Sequence, residues 1–210
     1  MPDIHVAPNT LDGLIKAAHA IKRAFDEAEA GRRDLHALGH LIAHPDALAA
    51  EARRHCLASL RDTGELHPRM TFFSRQDIQV LVFEGLPPDF QGQVGLTAAL
   101  RVMVATSAVE AYWFACETWV AASSPDDAVT ALPPREREDK RERLILVSAT
   151  LSSYRVESFD LVRDSRGKPR DLLRVTRPAR YWDAPVVANL FAGREETRAR
   201  AHALMTKERP

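Results

Sequence analysis

Apolar residues recur at helical spacing through the first third of the chain. Leu11, Leu14, Ile15, Ala18, Ile21, Phe25 and Ala28 form one stripe, with Asp12, Lys16, Lys22, Arg23 and Asp26 on the other faces. That pattern predicts an amphipathic helix, capped by Asn9 or Thr10 and stopped at Gly31. A short second helix is predicted over 34–44, where Pro45 breaks it. A third runs from Pro45 to Asp62, with Leu48, Ala52, His55, Cys56 and Leu60 inward, and ends at Thr63-Gly64.

The period then changes. Ile78–Phe83 is a near-continuous apolar run of strand length, closed by Glu84-Gly85-Leu86-Pro87-Pro88. Helical spacing returns between Gln91 and Ala108. From Tyr112 to Val120 the residues alternate as in a strand, with Tyr112, Phe114, Cys116, Thr118 and Val120 on one face. Trp113, Ala115, Glu117 and Trp119 take the other. One helix over 94–121 is the alternative. Pro125–Arg143 reads as a loop whose core, Arg135–Arg143, has no apolar side chain and is expected to be mobile and cut first by trypsin. Leu144–Thr150, Tyr154–Arg163 and Asp171–Thr176 read as strands, with a Gly-containing hairpin turn at Asp164–Lys168. A closing helix is expected around Val186–Leu204.

The sum is an α+β fold: N-terminal helices, then strand–helix–strand and an antiparallel meander, four or five strands in all, with a C-terminal helix. Residues 1–66 form a helical region packed on 67–210, one compact domain in all. The 91–108 crossover is expected to set two strands parallel. Its helix covers one sheet face and the N-terminal helices cover the other.

Composition narrows the function classes. With 29 basic and 29 acidic residues the 210-residue chain is formally neutral, unlike a protein built to coat DNA. Two cysteines, Cys56 and Cys116, with no CxxC pairing, give no disulfide framework or zinc knuckle. Gly95–Ala122 is interrupted by Arg101, Glu110 and Glu117, so no membrane span is expected, and the start lacks a signal-peptide pattern. A cytoplasmic location follows as the expectation. Of the 29 basic residues 24 are Arg, a bias that fits a GC-rich bacterial or phage genome. Over 78–175, Val82-Phe83-Glu84-Gly85-Leu86, Cys116-Glu117-Thr118-Trp119, Leu144-Ile145-Leu146-Val147 and Arg163-Asp164-Ser165-Arg166-Gly167 follow one another. This order resembles a set of uncharacterised bacterial and phage proteins whose strand carries Glu-Ala-Trp. The resemblance implies the sheet and the origin, and no activity.

Candidate chemistry sits at three places. His36, His40 and His44 stand four residues apart and drift only about 40° per step on a helix. Two such imidazoles can share a metal ion, but the third lies about 12 Å away along the axis, and no HExxH glutamate intervenes. A structural role is the favoured reading, with a metal site the alternative. Glu117, among aromatic neighbours, is a candidate acid or base with a raised pKa, and Glu157 or Asp160 is the expected second carboxylate. An ion-paired surface glutamate is favoured over that. Third, Arg163, Arg166, Lys168, Arg170, Arg174, Arg177 and Arg180 face only Asp164 and Asp171, an excess of positive charge that can meet nucleic acid or an acidic partner, with Tyr181 and Trp182 beside it. No Gly-x-Ser-x-Gly, P-loop or dinucleotide fingerprint is present.

These features favour a non-catalytic interaction protein that forms homo-oligomers, with a protein partner and no cofactor or membrane. Trp113 and Trp119 are the expected self-contact, since a sheet apolar on both faces must be covered twice. A metal-dependent hydrolase using the histidines with Glu117, or a nucleic-acid binder using the basic hairpin, is the alternative.

Overall fold

The computed structural model describes residues 4–6, 15–16, 18–23, 36–75, 77–120, 136, 138, 140–175 and 189–207, with the backbone alone for 4–6, 36–38 and 204–207. One sheet organises them. Its strands are β1 (Ile4–Val6), β2 (Arg69–Phe73), β3 (Ile78–Phe83), β4 (Ala111–Val120), β5 (Arg141–Thr150), β6 (Tyr154–Arg163) and β7 (Pro169–Arg174). Their spatial order is β1-β3-β2-β4-β5-β6-β7. Every neighbour pair is antiparallel except β1 with β3, which is parallel. The helices are α1 (His36–Ala43), α2 (Pro45–Thr63), α3 (Phe90–Thr106) and α4 (Arg194–Lys207), and described residues among 15–23 are helical as well.

The α+β class and the C-terminal helix agree with the sequence pattern, and the strand count exceeds it. β2 falls just after His67-Pro68, where the pattern reads as loop, yet Met70 and Phe72 alternate with Thr71 and Phe73 across the sheet. A tight connection joins it to β3: Ser74 N–H donates to the Asp77 carbonyl, and Asp77 N–H donates to Ser74 Oγ, both at 3.0 Å. The three residues of β1 lie within the region read as wholly helical. Residues 94–121 are a helix and a strand, since α3 ends at Thr106 and β4 begins at Ala111. Because β3 and β4 each run antiparallel to β2, the α3 crossover leaves them parallel with β2 between them.

Both sheet faces are covered by the chain's own helices. Leu96, Leu100, Met103 and Val104 of α3 pack on Met70, Phe72, Leu81, Phe83, Tyr112, Phe114 and Val147. Leu48, Ala52, Cys56 and Leu60 of α2 pack on Trp113, Ala115, Leu144, Leu146, Phe159 and Leu172 of the opposite face. Burying each of these large side chains contributes about 1.5–3 kcal/mol relative to exposure. Two expectations change here. Ile21 sits in the α3-side core, so the N-terminal helical residues do not all cover the other face. His55 and Ile15, read as inward, are exposed.

Local chemistry fixes the helix ends. Asp89 Oδ1 accepts the Gly92 N–H at 2.7 Å, capping α3. A Cβ on Gly92 would lie 2.6 Å from Pro87 Cβ, so the tight entry demands glycine. α2 closes on Gly64 at φ 86°, whose N–H reaches the Leu60 carbonyl at 2.8 Å.

Candidate functional site

The ends of β4, β5 and β6 converge just beyond the C-terminus of α2, and this is where the charged side chains collect. β2 pairs with β4 only as far as Ala115. Glu117 therefore lies on a stretch of β4 that β2 has left, and the chain leaving Gly64 supplies its partner: Leu66 N–H donates to Glu117 Oε2 at 3.0 Å. One step along, Trp119 faces Glu142 across the β4–β5 ladder. Arg163 closes the group from the end of β6. Its Nε and Nη2 engage both oxygens of Glu142, the latter at 2.9 Å. Its terminal nitrogens also donate to the Gly64 carbonyl at 3.3 and 3.4 Å and to the Gly167 carbonyl at 3.0 Å. Arg163 Nη2 stands 3.7 Å from Glu117 Oε1.

One guanidinium thus serves two carboxylates. Burial raises the proton affinity of Glu117 above the usual glutamate range, and the Leu66 N–H opposes it; Glu142 adds to the rise and Arg163 subtracts from it. Glu142 in turn holds Arg163 more firmly protonated. The sequence pattern paired Glu117 with Glu157 or Asp160, and the structure corrects this. Glu157 is ion-paired to Arg174 at 3.1 Å, and Asp160 to Arg143 at 2.7 Å. Glu142 carries no signal in the sequence pattern, since it lies in the charged run that reads as loop. The register Trp119–Glu142 is a property of the sheet, and no spacing along the chain announces it.

Beside the cluster an open recess of about 500 Å³ is bounded by Trp119, Lys140, Arg141, Glu142, Asp160, Leu161 and Arg163. Trp119 is 39% exposed, and the Lys140 ammonium stands 5.4 Å from its ring centroid. Glu117 is not part of this wall. Glu117, whose proton affinity burial raises, is therefore held by a backbone amide and an arginine, away from the opening. What the recess offers is an aromatic surface framed by mixed charge.

No protein-family model, curated protein or solved structure matches this chain. Its function must be read from its own residues.

Among the described residues the other candidate groups do not gather into a site. His40 and His44 are both exposed, with ring centroids 4.4 Å apart, and the side chain of His36 lies outside the described residues. His44 is also the break between α1 and α2, so the three do not ride one helix. Among the described residues no group of three or more His, Cys, Asp or Glu is placed to hold a metal ion. The basic hairpin is partly neutralised: Arg163 belongs to Glu142 and Arg174 to Glu157. Arg166, Lys168 and Arg170 remain exposed, while Arg177, Arg180, Tyr181 and Trp182 lie outside the described residues. The turn itself is as predicted, with Gly167 at φ 76° and Asp164 Oδ1 accepting from Arg166 N and Lys168 N. Burial pushes the thiols of Cys56 and Cys116 up to about 12, which makes neither a nucleophile at neutral pH. Asp89 already occupies the N-terminus of α3, where a phosphate would sit.

Proposed function

We propose that this protein is a non-catalytic interaction module that assembles with copies of itself, an accessory factor of a bacterial or phage system. The observation that carries this reading is the composition of α3. Its 17 residues include one charged side chain, Arg101, although the helix packs only on the sheet side and along α4 and leaves the rest of its surface exposed. Phe90, Val94 and Val102 are 63%, 39% and 45% exposed. A covering helix ordinarily turns a charged face to water, as α2 does with Arg53 and Arg54. A helix apolar on both sides belongs in an interior, and an intermolecular contact supplies one.

Trp113 is no part of such a contact, because α2 covers that indole to 3% exposure and His55 stands 5.6 Å from it, centroid to centroid. The restraint of Glu117 supports the non-catalytic half. Light scattering over a concentration series tests the proposal. A mass of two or more 23.4 kDa chains at tens of micromolar is expected. A monomer throughout would overturn it.

A further inference from the structure

We infer that α3 is the self-contact, two copies of the chain laying their α3 helices antiparallel across a two-fold axis; this rests on the oligomeric reading above and names its surface. Phe90, Val94, Ala98 and Val102 are spaced four apart and all exposed, so they form one outer ridge about 18 Å long that winds about 120° around the helix. The inward residues Leu96, Leu100, Met103 and Val104 are separate from it and committed to the core. Gln91 and Gly95 flank the strip, and none of these outward positions is ionisable.

The spacing suits a second copy in particular. Antiparallel pairing centred between Val94 and Ala98 sets Phe90 against the partner's Val102, and Val94 against the partner's Ala98. Each larger side chain then meets a smaller one, twice over by symmetry. Gly95, beside the axis, lets the backbones come within the roughly 8–10 Å of packed helices. A two-fold contact also brings a face against its own copy, so a charge near the axis would meet its like. The outer faces of the other long helices fail that condition: α2 exposes Arg53 and Arg54, and α4 exposes Glu195, Arg198 and Arg200. Antiparallel alignment opposes the helix dipoles favourably. A stable dimer needs about 800 Å² per partner, more than one helix strip supplies. Ile15, 46% exposed, is a further apolar side chain on this side of the sheet, on a segment whose Ala18 and Ile21 enter the same core as α3.

Sedimentation velocity of the full chain from low to high micromolar concentration tests the contact with three variants. Ala98→Glu places a carboxylate at the axis on an exposed helix position; Val102→Lys is the second disruption. Leu173→Glu alters an exposed leucine on β7, away from α3. Circular dichroism of each variant confirms the fold. The contact predicts a wild-type dimer whose dissociation constant rises about a hundredfold or more in Ala98→Glu and Val102→Lys and stays unchanged in Leu173→Glu. A dimer that survives both α3 substitutions overturns the α3 contact and leaves the oligomeric reading standing. A wild-type monomer overturns both.

Discussion

At the scale of single residues, Glu117 shows how a functional-looking group becomes structural. Its sequence neighbours, Trp113, Ala115 and Trp119 on one strand face, correctly foretell a desolvated carboxyl. The partners that hold it come from far along the chain: Leu66 through its amide and Arg163 through its guanidinium. Since burial raises its native proton affinity, the folded chain binds this proton more tightly than the unfolded chain. Stability therefore falls as pH rises from the ordinary glutamate range through the raised native value, and that loss is complete above it. Glu117→Gln keeps an acceptor for Leu66 N–H and removes the charge. At pH 7 the variant should equal wild type or exceed it by up to about 1 kcal/mol, with the gap closing in acid. Urea unfolding at several pH values measures this. A variant weaker than wild type at pH 7 would mean that Arg163 outweighs burial.

Arg163 is the complementary case. With 27% of its side chain exposed, it joins the ends of β5 and β6, the α2 cap at Gly64 and the hairpin at Gly167. Arg163→Ala leaves Glu117 and Glu142 facing one another and frees two carbonyls, which should cost about 2 kcal/mol after allowance for that exposure. Arg163→Lys should recover only part of it, for an ammonium cannot engage both Glu142 oxygens in the same fork. Chemical denaturation distinguishes the three proteins. Equal stability of all three would show that the clamp contributes nothing.

Among the elements, legibility followed the strength of local signals. β6 was placed to the residue because Gly167 and Asp164 mark one end and a short polar turn the other. α2 emerged from Pro45 and Gly64 in the same way. β2 escaped because five residues after a proline carry too short an alternation, and its strand character comes from lying between β3 and β4. The sequence pattern starts β5 at Leu144 because Arg141-Glu142-Arg143 looks solvated. In the sheet these three pair with Val120, Trp119 and Thr118, and Arg143 is only 11% exposed beside Asp160. This revises the proteolysis expected for the charged run. Trypsin should spare the bond after Arg143 in the native protein and cleave there only on global unfolding. Mass mapping of the first fragments decides it, and an early cut after Arg143 would return β5 to a start at Leu144.

On the scale of the whole molecule, the sheet needs no second subunit to cover it, since α2 and α3 do so from opposite sides. What the sequence pattern left hidden was that the covering helix, packed on one flank by α4, keeps apolar side chains exposed on its outer side. An all-round apolar helix reads as core in one dimension, and only its position as an outer layer makes Phe90, Val94 and Val102 conspicuous. The self-contact is thus encoded by a mismatch between α3's composition and its place in the fold. Cross-linking in a chosen register examines that claim most directly. Variants Val94→Cys and Ala98→Cys, each with Cys56 and Cys116 replaced by serine or alanine, are purified separately and oxidised alone and as an equimolar mixture. Antiparallel pairing predicts that the mixed disulfide between Cys at 94 and Cys at 98 dominates over either homodisulfide. Homodisulfides in excess, or no disulfide in the mixture, would contradict it.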